Sequence, residues 1–266
     1  MIFGGLDGSN FVSIFSVLWF FFHLVQLTGK HAQLRQKYIF VIAPLANPDG
    51  FQHVVDSGDA TWEKSYCQLS GCENVILNRN FDSEFGIYRS PTSWDPSDRE
   101  YPGRLAFSAS ETKHIRDHIG PLDETGRLLL VLNVFGTGKT WTVPFGSGRR
   151  PNNYHSMLQM ARGAVANIQQ YHPNRQGWRY GNTATIENSK RSGSLEDYIV
   201  DATLAAGAFS VSLAPGDGPT SKQSDWRGYM ESGMDLFNGI VGATDVIDSI
   251  ATRQILYVES PYHSNY

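Results

Sequence analysis

KYIFVIAPLANPDGF, residues Lys37 to Phe51, changes character halfway along. Lys37 to Leu45 is a short apolar run, partly β-branched and closed by Pro44, which reads as a buried strand. Asn47-Pro48-Asp49-Gly50 then supplies turn chemistry, so the strand is expected to end in a loop. Downstream the same alternation returns. Arg127 to Phe135 (RLLLVLNVF) and Ala208 to Leu213 (AFSVSL) read as strands, and so does the stretch from Trp141. Ser108 to Ile119, Tyr154 to Tyr171 and Leu195 to Ala206 read as helices, the first with Ser108 three residues before Glu111 in a capping-box spacing. Strands alternating with helices specify an α/β layer architecture with a largely parallel sheet. Ligands of such sheets bind in the crevice at the carboxyl ends of the strands, where the loops from Asn47 and Asn133 fall.

Composition bounds the rest. With 266 residues, 41% of them apolar and 18% charged, the chain can bury one sizeable core, and a single domain over 1–266 is the simplest organisation. Its net charge of −4 and scattered basic residues give no footprint for nucleic acid. Cys67 and Cys72 are too few for a disulfide framework or a structural zinc site, although one small bridge is open to them. Phe11 to Gly29 carries no Asp, Glu, Lys or Arg, so it is either a membrane span or a helix within a large core. Ser13, Ser16, His23 and Gln26 dilute it, and Asp7 stands where a signal peptide needs positive charge, so the core reading is preferred to an anchor at 11–29. The Gly-, Asn-, Arg- and Ser-rich stretches 147–153 and 173–193 read as long loops within the domain.

Five segments, in order, carry a resemblance. They are Pro44 to Phe51 with NPDG; Trp62-Glu63-Lys64 followed by Cys72 and the LNRNF of Leu77 to Phe81; Tyr101, Gly103, Ser108 and Glu111; Val131 to Gly146; and Tyr180 to Gly218. Together they resemble the zinc metallocarboxypeptidases of the pancreatic A and B type, most clearly over 38–218. The resemblance implies a single α/β domain with a central mixed sheet flanked by helices. It also implies roughly fifty residues ahead of the first ligand pair. Six precede Asp7 here, so an amino-terminal part that is trimmed, or a reading frame that begins late, is expected.

The chemistry implied is metal-assisted hydrolysis of a peptide's C-terminal bond: three ligands hold zinc, a glutamate acts as base, and arginines hold the oxyanion and the terminal carboxylate. By this resemblance the ligand positions are occupied by Asp7, Asn10 and Asn133, a set with one charge and no imidazole that could at best hold a hard cation weakly. Ile76 stands where an aspartate orients a ligand histidine. The base position falls on Ala214, or on Ser212 if the alignment slips by two, and Glu63 replaces the oxyanion arginine. Asn78 and Arg79 match the pair that clamps the substrate carboxylate, Asn188 falls at the substrate-capping tyrosine, and Leu195 and Glu196 fall near the specificity pocket. Arg79 has a competing role as a structural arginine satisfying loop carbonyls.

Other patterns carry less. Gly136-Thr137-Gly138-Lys139-Thr140 lacks the first glycine of a phosphate loop and is followed by a strand pattern. His114 and His118 have the spacing of a zinc helix without its glutamate, which suits a solvated face. Two readings result: a non-catalytic carboxypeptidase-like protein that binds a peptide or protein C-terminus with no cofactor, or an active zinc carboxypeptidase whose ligands lie elsewhere. The resemblance favours secretion, since the family is mostly secreted.

Overall fold

The computed structural model describes residues 1–26, 28, 32–68, 73–88, 94–174, 176–213 and 226–258, with side chains described up to residue 250. Among these residues six strands form one sheet: β1 (Ile2–Phe3), β2 (Ile42–Ala43), β3 (Leu130–Phe135), β4 (Thr140–Val143), β5 (Arg179–Asn182) and β6 (Gly207–Ser212). Their order is β2-β1-β3-β6-β4-β5, and every neighbouring pair is parallel except β4 with β6. The architecture is therefore the mixed, largely parallel α/β sheet expected. In β3, Val131 faces one layer while Leu132 and Val134 face the other, the period-2 alternation of a sheet covered on both sides.

One layer holds α1 (Phe11–Gln26), α5 (Tyr154–Tyr171) and α8 (Trp226–Val258). Phe20, Met157, Trp141, Phe209 and Phe237 pack together there. The other holds α4 (Ser110–Glu124) and α7 (Leu195–Ala202), with Leu77, Phe81, Tyr101, Ile119 and Ile199 in its core. Between them in the chain, α2 covers Gln33–Lys37, α3 Pro48–Ser57 and α6 Thr183–Glu187.

α5 occupies the range expected, but several other elements differ. The strand expected over 37–45 is reduced to Ile42–Ala43, because it pairs only with the two-residue β1 and α2 takes up Lys37. NPDG is not a turn but the first turn of α3: Pro48 fills the first helical position, which needs no amide hydrogen, and Asn47 Oδ1 accepts from Gly50 N at 3.0 Å. α4 begins two residues late because Ser108 Oγ accepts from Asn80 Nδ2 at 2.9 Å instead of capping the helix. α7 ends at Ala202, where Thr203 turns extended and its hydroxyl bonds back to Ile199 O.

α1 is a half-buried helix. Val12, Val17, Phe20 and Leu24 enter the core, while Phe22 and Val25 are exposed. It ends at Gln26, and Gly29 lies outside the described residues; among those described, no helix is long and apolar enough to cross a membrane. Cys67 is disulfide-bonded, and Cys72, the other cysteine of the chain, lies outside the described residues. His114 and His118 are exposed on α4, and the glycine-rich 136–140 turn leads straight into β4.

Candidate functional site

Beyond the carboxyl ends of β1, β3 and β6 lies a cleft of about 250 Å³. Its wall includes Asp7, Glu63, Ile76, Asn78 and Arg79, joined by Glu100, Glu187 and Arg191. Six positions named from the sequence, Ser212 among them, are thus brought to one place.

Asp7 sits in the loop leaving β1. Gly5, at φ +63°, turns the chain there, and its amide donates to Ser13 Oγ at 2.9 Å. Asn10 Oδ1 accepts from Ser13 N at 3.2 Å, so this side chain caps the start of α1. Burial pushes the Asp7 carboxyl up to about 6, and repulsion from Glu63 adds to this; Arg79, a hydrogen bond from Asn10 and Arg191 oppose it. Glu63 forms an ion pair with Arg99, whose Nε donates to Glu63 Oε2 at 3.1 Å.

Asn78 and Arg79 lie in a 3-10 turn, Leu77–Arg79. The turn is fixed from both sides. Asn80 Oδ1 accepts from Ala109 N at 3.1 Å and Thr112 Oγ1 at 2.7 Å, tying it to α4. Gly193, at φ +74°, approaches so closely that a Cβ there would lie 2.2 Å from Arg79 O. The Arg79 guanidinium donates from Nη1 to Asn78 O at 2.9 Å, a loop-carbonyl contact, and the residue lines the cleft with no ion pair among the described residues. Burial lowers its pKa, and the neighbouring Arg191 adds to this, against the pull of Glu187, Glu100 and Glu196.

Asn133 lies beneath this floor, 1% exposed. Its Nδ2 donates to Asn78 Oδ1 and to Glu196 Oε2, both at 3.0 Å, while its Oδ1 has no partner. Asn78 Oδ1 also accepts from Leu195 N at 3.0 Å, which leaves Asn78 Nδ2 as a buried, unpartnered donor on the cleft wall. Glu196 is 1% exposed, and its Oε1 accepts from Arg191 Nη2 at 2.7 Å. Its carboxylate is occupied by Asn133 and Arg191 together, and Leu195 is buried beside it. Asn188 caps the end of α6 at φ +51°, exposed and off the cleft; its neighbour Glu187 is on the wall. Ala214 lies outside the described residues, and Ser212, its alternative, lines the cleft at the end of β6.

Sequence reasoning missed Arg191, Glu187 and Asp197. The i, i+4 spacing of Glu187 and Arg191 was a usable signal, and they do pair at 3.3 Å. Asp197 accepts Gly146 N with both oxygens, at 3.1 and 3.0 Å, and its pKa is pushed up to about 7 by burial and then by Glu196. Among the described residues, no group of three or more His, Cys, Asp and Glu is gathered so that it could hold a metal ion.

The zinc carboxypeptidase family model matches residues 1–231. Carboxypeptidase B of Helicoverpa zea is 28% identical over 202 residues, which cover 73% of this chain and 46% of that protein. An inactive metallocarboxypeptidase, ECM14, of Paracoccidioides lutzii is 29% identical over 115 residues, 41% of this chain and 19% of its own. The carboxypeptidase A structure from Helicoverpa armigera superposes with a TM-score of 0.78 at 23% identity, covering 95% of this chain and 61% of that one. The chain spans about half the length of the carboxypeptidase B that it matches. With the family match running through nearly all of the described sheet and helices, the chain belongs to the zinc carboxypeptidase family.

Proposed function

We propose that this protein is a carboxypeptidase-like binder of peptide C-termini that has lost zinc and catalysis. The donor chemistry supports the loss. Zinc sites use imidazole, thiolate or carboxylate ligands, and of the three ligand positions only Asp7 offers one. The Asn10 amide oxygen is engaged as a helix cap, and the Asn133 amide nitrogen joins Asn78 to Glu196. These residues do not fit zinc. At the oxyanion position, Glu63 brings negative charge where a developing anion needs a donor.

What supports binding is the pair of Asn78 Nδ2, an unpartnered donor, and Arg79, whose guanidinium makes one hydrogen bond and no ion pair among the described residues, both residues lining the cleft. A guanidinium beside an amide is suited to a carboxylate, which it meets with charge-assisted hydrogen bonds. The loop-carbonyl role of Arg79 uses only one of its donors, so both roles coexist. The reading is tested by metal analysis of zinc-replete protein, a C-terminal hydrolysis assay, and peptide binding by Arg79→Ala. No stoichiometric zinc, no release of C-terminal residues and at least tenfold weaker binding are expected. Stoichiometric zinc with chelator-sensitive cleavage would establish the active enzyme instead.

A further inference from the structure

Three of the cleft's charges, Asp7 and the exposed Glu100 against Arg79, form no ion pair among the described residues. Four carboxylates line it, Asp7, Glu63, Glu100 and Glu187, against two guanidiniums, Arg79 and Arg191. Glu63 is neutralised by Arg99, and Arg191 by Glu187 and Glu196. Among the described residues Asp7 and Arg79 form no ion pair, although Arg79 draws the Asp7 carboxyl downward. Asn78 Nδ2, on a side chain 2% exposed, stands unpartnered on Arg79's side.

A single anion bound at Arg79 leaves the Asp7 carboxylate on the cleft wall without an ion-pair partner among the described residues. A single cation bound at Asp7 leaves Arg79 and Asn78 Nδ2 unused. We infer that the cleft takes a small zwitterion, a free dipeptide, whose carboxylate meets Arg79 and Asn78 and whose terminal ammonium meets Asp7. The size agrees: about 250 Å³ is below the roughly 300–1,000 Å³ of sites for drug-sized ligands. Glu196 takes no part in this selection, because both of its oxygens are already bonded. The inference rests on the carboxylate-binding reading and adds that the other end of the ligand must be free and positive.

Calorimetric titration of the intact protein with alanyl-leucine, its N-acetyl form and its C-terminal amide separates the two ideas. The free dipeptide is expected to bind about tenfold more tightly than either blocked form. Asp7→Asn should bring it down to the level of the N-acetyl form while leaving the latter unchanged. Equal affinity for free and N-acetyl forms, with the amide weaker, overturns the zwitterion inference and leaves the carboxylate clamp standing. Equal affinity for acid and amide, or no binding by any of the three, overturns both. Should Asp7→Asn fail to fold, the three-ligand comparison on the unaltered protein decides by itself.

Discussion

Asn133 Nδ2 lies 3.0 Å from Glu196 Oε2 with both residues 1% exposed, so an amide on β3 satisfies a carboxylate on α7 inside the protein. The same nitrogen holds Asn78 Oδ1 at 3.0 Å. Asn133→Leu removes the donor and strands one oxygen of a buried charge. A loss of about 2–4 kcal/mol of unfolding free energy is expected in denaturant titration, since an unsatisfied buried acceptor costs more when it is charged. A change within a few tenths would show that this amide is not structural.

Arg191 is the other partner of Glu196, at 2.7 Å, and is itself buried. Breaking a buried pair from one side leaves an uncompensated charge, so Arg191→Met should cost about 3–5 kcal/mol. Adding Glu196→Gln removes the orphan charge and should recover most of that loss. A double variant no more stable than the single would mean that Arg191 contributes through packing and not through its charge.

Asp197 sets a pH dependence. Its folded pKa, about 7, lies above the ordinary carboxylate value of 3.8, with burial as the main cause and Glu196 as the next. The folded state therefore holds this proton more tightly than the unfolded chain. The stability it contributes is full below pH 3.8 and is lost as pH rises through about 7. Asp7, raised to about 6, adds a slope of the same sign. Chemical denaturation from pH 4.5 to 8 should show stability falling for the native chain and falling less for Asp197→Asn. A slope identical in the two proteins would remove Asp197 as its source.

How far the sequence reached can be judged from particular residues. The apolar runs of β3 and β6 and the 3.6-residue periodicity of α5 were legible because they are long and locally consistent. β2 was overestimated because strand length depends on the partner, and β1 offers two residues. Asn47 was misread because the residues that make turns also start helices, and only tertiary packing decides between them. At the site, Asn78, Arg79 and Asp7 were identified by motif and do meet in one cleft. Arg191 and Asp197 were not, since their importance comes from burial against Glu196 and Gly146, which no local pattern announces.

Gly8 and Gly50 bring the Asp7 loop against α3. A Cβ on Gly8 would lie 2.8 Å from the Gly50 carbonyl carbon, and one on Gly50 would lie 2.5 Å from Lys64 O. The obstacles are backbone atoms, which cannot move aside as a flexible side chain would. The helix interior would ordinarily favour Ala over Gly by roughly 0.5–1 kcal/mol, but this overlap outweighs it. Gly50→Ala should destabilise by about 1–3 kcal/mol, measured as a lowered denaturation midpoint at unchanged denaturant dependence. Because Asn47 Nδ2 donates to both Leu6 O (3.1 Å) and Lys64 O (3.0 Å), the displacement reaches the residues flanking Asp7 and Glu63. Gly50→Ala should therefore also weaken binding of a free dipeptide more than that of its N-acetyl form, and a stability loss with both affinities intact would show that the Asp7 loop is positioned without α3.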